Sequence, residues 1–598
     1  MMSAMKHTFL FTTIMIGLSA CGPTEQENNA PGEDCVLLES EGVNGGQTLS
    51  GCYNVESVLS VDDGLLTIEA GSRLIFAQDA GLTVGANAGL VITGTQEDRV
   101  VFEGASKERG FWKGVRLENS DAPRNSIAHL TLSHAGSSQW NGNPRSRAGL
   151  FIAGEKNNLE VRDSIFQENG LTAIHANGGE SDLTIASSSF ENNDGSIWVH
   201  ANLAGGLSED LAFDGNDDDR VHASLDGASE AISREQTWPA LAVPYLIERT
   251  IQVETLLTIA AGATLEFEQE VGIQISGEGR LSAIGTEEAQ ITFKGSEAER
   301  GFWSGLYYTD TRSSQNVLEH VLISDAGADQ WNGAEYSRGC IYLAGDGVAL
   351  SISSATFREC GQAGIVADSG GVELSIEGST FTASDLPLWI DANLVGGLAA
   401  DNAMSGNDKD YIYLGVNGAS TDVTSNQAWN ALDVPYRADR TVRVSGELTL
   451  SPGLTFEFDQ DTGLNIDEGT LIADGSAGDR IVFVSADGES LEGFWKGIRF
   501  GNSFKSANKI SNADIHYGGS SGWNGSPDSA AGLFLSGSGQ KSQVALDDVS
   551  ILGSGRWGIS VSAESSISPC ASVTFENNGD GSEGGDFHVD EDATFACN

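Results

Sequence analysis

Apolar and polar residues alternate along most of this chain in short runs such as Leu-Glu-Val at 159–161, Leu-Thr-Ile at 183–185 and Leu-Ser-Ile at 350–352, separated by Gly, Asn, Asp and Ser. A period of two predicts strands with one buried face, and no apolar 3.6-residue pattern runs long enough for a helical solenoid. The runs also recur. Leu159, Val161, Phe166, Asn169 and Ile174 are followed 24 residues later by Leu183, Ile185, Phe190, Asn193 and Trp198. Leu350, Ile352, Phe357 and Ile365 are followed at the same step by Leu374, Ile376, Phe381 and Trp389, and Val549 and Ile551 by Val573 and Phe575. The pattern predicts an all-β parallel coil of about 24 residues per turn, with equivalent side chains stacked at the inter-strand distance of about 4.8 Å. The positions 166/190, 357/381 and 551/575 are expected in its core, and Gly and Asn at its corners supply left-handed backbone.

A longer repeat is laid over the short one. Gly-Phe-Trp-Lys-Gly at 110–114 returns as Gly-Phe-Trp-Ser-Gly at 301–305 and Gly-Phe-Trp-Lys-Gly at 493–497, with 191 residues from Trp112 to Trp303 and 192 from Trp303 to Trp495. Trp140-Asn141-Gly142, Trp331-Asn332-Gly333 and Trp523-Asn524-Gly525 keep that register. Eight steps of 24 make one such unit, which predicts eight coils in each. The expected division is 1–20 signal segment, 21–54 tether and cap, 55–245 unit one, 246–436 unit two, and 437–598 unit three with a C-terminal cap.

Leu-Thr-Ile-Glu-Ala-Gly-Ser-Arg-Leu-Ile-Phe at 66–76, with its counterparts at 257–267 and 448–458, runs on into Gly-Phe-Trp-x-Gly. This resembles bacterial right-handed parallel β-helix proteins of the pectate-lyase-like superfamily over roughly residues 55–595. The resemblance implies a right-handed parallel β-helix solenoid. It does not name an activity, since lyases, hydrolases, epimerases and adhesins share the fold.

At the N-terminus Lys6 and His7 precede an apolar run from Phe9 to Gly17 that ends in Leu18-Ser19-Ala20-Cys21. The run is too short for a permanent span and suits a secretion signal. It resembles a bacterial lipoprotein signal, which implies lipidation of Cys21, and Gly22 in place of Asp implies the outer membrane. The polar stretch 22–34 reads as a flexible tether. The membrane is thus an expected partner, reached through lipid. Without Cys21 six cysteines remain, an even number that suits an exported chain; the sequence-local pairing is Cys35/Cys52, Cys340/Cys360 and Cys570/Cys597.

With 85 acidic against 32 basic residues the net charge is −53. Such a surface repels nucleic-acid phosphates, which excludes DNA and RNA, and it weighs against polyuronate substrates. Among candidate sites, Trp112, Trp303 and Trp495 read as coil-packing aromatics. The Trp-Asn-Gly segments read as protruding loops, in which Trp140, Asn141, Trp331, Asn332, Trp523 and Asn524 offer the ring face and amide edge that a sugar requires. Asn216, Asp217 and Asp219, answered by Asn407, Asp408 and Asp410, form oxygen-rich turns that suit calcium, the one cofactor suggested, or an ordinary Asx turn. No nucleophile or zinc motif is present. His134, Asp325 and Tyr517 share one repeat position and differ in chemistry. The expectation is therefore a non-enzymatic, lipid-anchored, surface-exposed rod that binds polysaccharide or cell-surface glycans through three equivalent loops on one side. The alternatives are a polysaccharide lyase, hydrolase or epimerase with one site on the helix, and a passive stalk.

Overall fold

The computed structural model describes residues 35–38, 46–121, 125–223, 229–416, 420–488, 490–536, 541–579 and 584–597. The signal segment, Cys21 and the tether lie outside these residues. The described chain is an all-β solenoid of stacked parallel strands. Each coil passes through three faces, for example Ile165–Gln167, Ile174–Ala176 and Asp182–Ala186 in one turn of unit one.

The alternation explains the stacking. In Asn158–Arg162 the side chains of Leu159 and Val161 are buried, while Arg162 is exposed. The strand pairs in parallel with the next coil, Leu159 over Leu183 and Val161 over Ile185. Phe166 stacks on Phe190 at 5.5 Å between ring centroids, and Phe357 on Phe381 at 4.6 Å. Corners sit in left-handed backbone at equivalent places, with Asp163 at φ 51° and Ser187 at φ 48° one coil later. His134, Asp325 and Tyr517 are corner residues of this kind, at φ 68°, 66° and 66°. Their shared position therefore has a backbone role, which tolerates different side chains.

Inside one corner of unit one runs an asparagine ladder. The backbone N–H groups of Ala135, Asn169 and Asn193 donate to the side-chain oxygens of Asn169, Asn193 and Asn216 at 2.9, 3.0 and 2.9 Å. Unit two has Cys360, Ser384 and Asn407 on that ladder, and Cys360 is bonded to Cys340 with 5.3 Å between Cα atoms. The 20-residue separation falls short of the coil step because Cys340 lies at the start of a second-face strand, where Gly149 stands in unit one against Asn169. The disulfides Cys35–Cys52 and Cys570–Cys597 close the first and last described coils.

The step of 24 holds only where no loop is inserted. The first-face stack of unit one is Tyr53, Leu74, Phe102, Leu132, Phe166, Phe190 and Phe213, with steps from 21 to 34 residues. The longest step contains the Trp140 loop. After Phe213 the chain passes through Asp218–Ala223, Ser229–Ile232 and Gln236–Trp238 before reaching Tyr245–Ile247, the repeat equivalent of the Tyr53 strand. That strand does not return to the first face. It pairs with the second face, Val221 over Tyr245 and His222 over Leu246. The next joint repeats the shift, with Ile412 over Tyr436. A unit thus makes about seven and one-third coils and not eight, so successive units are turned by about a third of a revolution. Pairing continues across both joints, and the divisions at 245/246 and 436/437 fall within the strands Tyr245–Ile247 and Tyr436–Ala438.

Candidate binding face beneath the Trp-Asn-Gly loops

The Gly-Phe-Trp-x-Gly segments open the second-face strands of each unit. Trp112, Trp303 and Trp495 are fully buried. They stack on Phe76, Phe267 and Phe458 at 3.9, 4.0 and 4.2 Å, and each indole N–H donates to a backbone oxygen, of Ser133, Ser324 and His516. The closing glycine is obligatory: a Cβ on Gly114 would stand 2.2 Å from Ala148 O. These residues are core, as the repeat pattern suggests.

The Trp-Asn-Gly loops leave the first face and fold over the second. Each is tied internally by a buried serine at its end: Ser146 Oγ donates to Asn143 O, Ser337 Oγ to Ala334 O and Ser529 Oγ to Ser526 O. Trp140, Trp331 and Trp523 are half-buried, each lying against Gly81, Gly272 or Gly463 of the coil below. The indoles of Trp331 and Trp523 donate to Ser304 O and Lys496 O at 3.0 Å. Asn141, Asn332 and Asn524 are exposed. The rings are therefore clipped flat over a strand. Because of the third-of-a-turn offset the three loops face three directions, which corrects the expectation of a single side.

Under the loops lies a row of outward side chains absent from the candidate residues drawn from sequence. In unit one the row is Arg116, Phe151, His175, Trp198 and His222. His222 is held between Asp218 and Glu248, 3.0 Å from each, and Arg145 of the loop reaches Glu248 at 2.7 Å. Arg220 pairs with Asp218 through two bonds of 2.9 and 3.0 Å and approaches Glu266 at 3.8 Å, which also meets Lys294 at 3.1 Å. Burial alone would disfavour the imidazolium, but the hydrogen bonds and charges of the two carboxylates outweigh it and raise His222 above its ordinary 6.5. Asp218 and Glu248 are held below the usual carboxylate range against their own burial, by His222 with Arg220 and with Arg145 respectively.

A raised histidine stabilises the fold below its unfolded pKa and loses that contribution as pH rises through the folded one. Thermal unfolding followed from about pH 6 to pH 9 should therefore show the midpoint falling by a few degrees, and His222→Gln should remove that slope. An unchanged slope in the variant would mean that the joint between units one and two does not depend on this charge.

Unit two has exchanged the ion pairs for rings. Its row is Tyr307, Tyr342, Val366, Trp389 and Tyr413. Tyr307 stacks on Tyr342 at 5.3 Å and on Trp331 at 5.0 Å; Tyr336 of the loop meets Tyr342 and Trp389 edge-on, and Trp389 lies 5.5 Å from Tyr413. Tyr411 adds a further ring at 5.6 Å, with the Arg437 guanidinium over it at 4.7 Å. Trp331, Tyr336, Trp389, Tyr411 and Tyr413 are all partly exposed. Polar edges converge on the strip: Asn332 Nδ2 donates to the Tyr342 hydroxyl at 3.3 Å, which donates to Asp368 at 2.5 Å. In unit three the row is Arg499, Phe534, Ser560 and His588.

The oxygen-rich turns sit at the corners of the last coils. Asn216 Oδ1 closes the ladder described above, and Asn407 Oδ1 accepts from Ser384 N at 3.1 Å. Asp217 and Asp408 pair with Arg109 and Arg300, Asp219 accepts from Asn216 Nδ2, and Asp410 accepts from Asn407 N. Among the described residues no group of three or more His, Cys, Asp or Glu is placed to share a metal ion. No protein-family model matches the chain, and no curated protein matches it.

Proposed function

We propose that this chain is a non-enzymatic glycan-binding or adhesion protein, held at the bacterial outer-membrane surface by lipid on Cys21, and that the second face of unit two is its main contact surface. The carrying observation is the strip of unit two, where five partly exposed rings lie side by side with amide, hydroxyl and carboxylate groups at their edges. A sugar offers an apolar face for stacking and hydroxyls for polar edges, and this strip supplies both. The signal-like N-terminus supports the location, and the likeness to pectate-lyase-like β-helices agrees with a polysaccharide partner. Among the described residues no helix is long and apolar enough to cross a membrane, so the reading places the anchor in the lipid.

The test is retention of the protein on a glycan array and on insoluble polysaccharides. Trp389→Ala and Tyr413→Ala should each weaken retention by about tenfold or more, which corresponds to about 1.4 kcal/mol. Trp198→Ala in unit one, where the row is ion-paired, should change it little. Equal retention by all three variants, or none by the parent, would end the proposal.

A further inference from the structure

A groove of about 730 Å³ lies on the third face of unit two, beside the aromatic strip. It runs along the 3-10 helix Ala392–Gly397 and over the exposed residues Ser351 and Ser375. Of its 18 lining residues only Glu373 is ionisable, in a chain of which 20% is charged. Besides Glu373, its polar surface comes from serine hydroxyls and the amides of Asn316, Asn393, Asn426 and Gln427.

Unit one has the same groove in a different state. There it measures about 370 Å³ and is lined by Asp182, Arg234 and Glu235, with Arg234 paired to Asp182 at 3.1 Å. The repeat positions of Arg234, Glu235 and Glu160 are Ser425, Asn426 and Ser351 in unit two. On the neighbouring second face Arg116, Arg145, Arg220 and His222 become Tyr307, Tyr336, Tyr411 and Tyr413. The ion pairs of unit one are thus absent from the equivalent positions on two adjacent faces of unit two, one gaining rings and the other open polar volume; the charges that remain there are paired, Glu373 with Arg312 at 2.6 Å and Arg437 with Asp459 at 2.7 Å.

The two surfaces are joined. A shallow hollow of about 460 Å³ lies over the corner between them, lined by Asp346, Ser369, Asp391, Asn393 and Asp422 among others. Asp391 is two residues beyond Trp389, and Asn393 lines both the corner and the third-face groove. We propose that a single neutral oligosaccharide crosses unit two around the coil, from the Trp389 strip over the 391–393 corner into the groove floored by Ser351 and Ser375. This rests on the glycan-binding reading of the second face and adds the ligand's class, length and direction. The three corner carboxylates accept from hydroxyls and repel uronates. Two faces of about five residues each span roughly 30 Å, enough for about six hexose rings.

The experiment is calorimetric titration of the full chain with neutral glucan, xylan, mannan and galactan oligosaccharides of two to eight units, with oligogalacturonates as the charged control. For a neutral series that binds, affinity should rise by about tenfold between three and six units. Ser375→Arg and Ser351→Glu, both at exposed positions, should abolish that rise and leave the affinity for the trimer unchanged, whereas Trp389→Ala should weaken every length. As a measurement that needs no variant, the hexamer and not the trimer should slow amide exchange across 391–397 and 425–427. If affinity stops rising at three units and both serine variants bind like the parent, the path is overturned while the second-face site stands. If no neutral series binds, or if the uronates bind best, the underlying reading falls with it.

Discussion

Replacing Trp303 with Ala is expected to cost about 3–5 kcal/mol. Trp303 is fully buried, lies 4.0 Å from Phe267 in near-parallel stacking, and satisfies Ser324 O. Truncation removes the ring contacts, opens a cavity between two coils, and leaves a buried carbonyl without its donor. In a solenoid each coil touches only its neighbours, so the damage should stay local. Limited proteolysis should then open the chain around 293–326 while units one and three remain protected. Urea unfolding of the variant should show a separate early transition. Trp331→Ala, at a half-buried ring on the surface, should leave the coil stack intact. A single, unshifted transition in the Trp303 variant would contradict the stacked-coil account of the core.

Much of this architecture could be read from period-two alternation and from the recurrence of like residues, because parallel coils place like side chains directly over one another. Phe166 over Phe190 and Phe357 over Phe381 follow from that logic. The offset between units could not be read the same way. Equal repeats fix how far apart equivalent residues are along the chain, and the angle between them depends on inserted loops that carry no periodicity, such as the one containing Trp140. The proposed binding face was hidden for a related reason. Tyr307, Tyr342 and Tyr413 point outward, where alternation predicts polar residues, and a tyrosine satisfies a polar position as readily as an apolar one. A signal did exist, since Arg116, Arg145, Arg220 and His222 all become tyrosine at the next repeat. Only the strand register of Tyr307 and Tyr413, with the ring contacts of Tyr336 and Tyr411, shows that they share a surface.

The rotated units also change how avidity can operate. Equal sites on one side of a rod would engage a flat, repetitive surface together, and their effective concentrations would multiply the affinity. Sites turned by a third of a revolution cannot all meet one plane. They can hold separate chains or one that winds around the rod. Their unlike chemistry, ion-paired in unit one and aromatic in unit two, argues for separate roles.

Gly397→Ala should destabilise the chain by about 3 kcal/mol or more, although the substitution adds a single methyl group. Gly397 closes the 3-10 helix Ala392–Gly397, which replaces a third-face strand at this level and rests directly on the coil below. A Cβ there would lie 1.9 Å from Leu374 O, and its counterpart on Gly206 would lie at the same distance from Leu183 O. The obstacle is backbone, so no side chain can move aside. Relief would require lifting the helix and breaking the bridge between Ile376 and Leu398. Gly333 in the Trp331 loop is the control: it sits at φ 76° with nothing within 4 Å of a Cβ, so Ala there adds only local strain of about 1 kcal/mol. Chemical denaturation should separate the two variants by at least twofold in the loss of unfolding free energy. Because Gly396 and Gly397 also line the neutral groove, the first variant should lose the gain in affinity for long oligosaccharides, and the second should keep it.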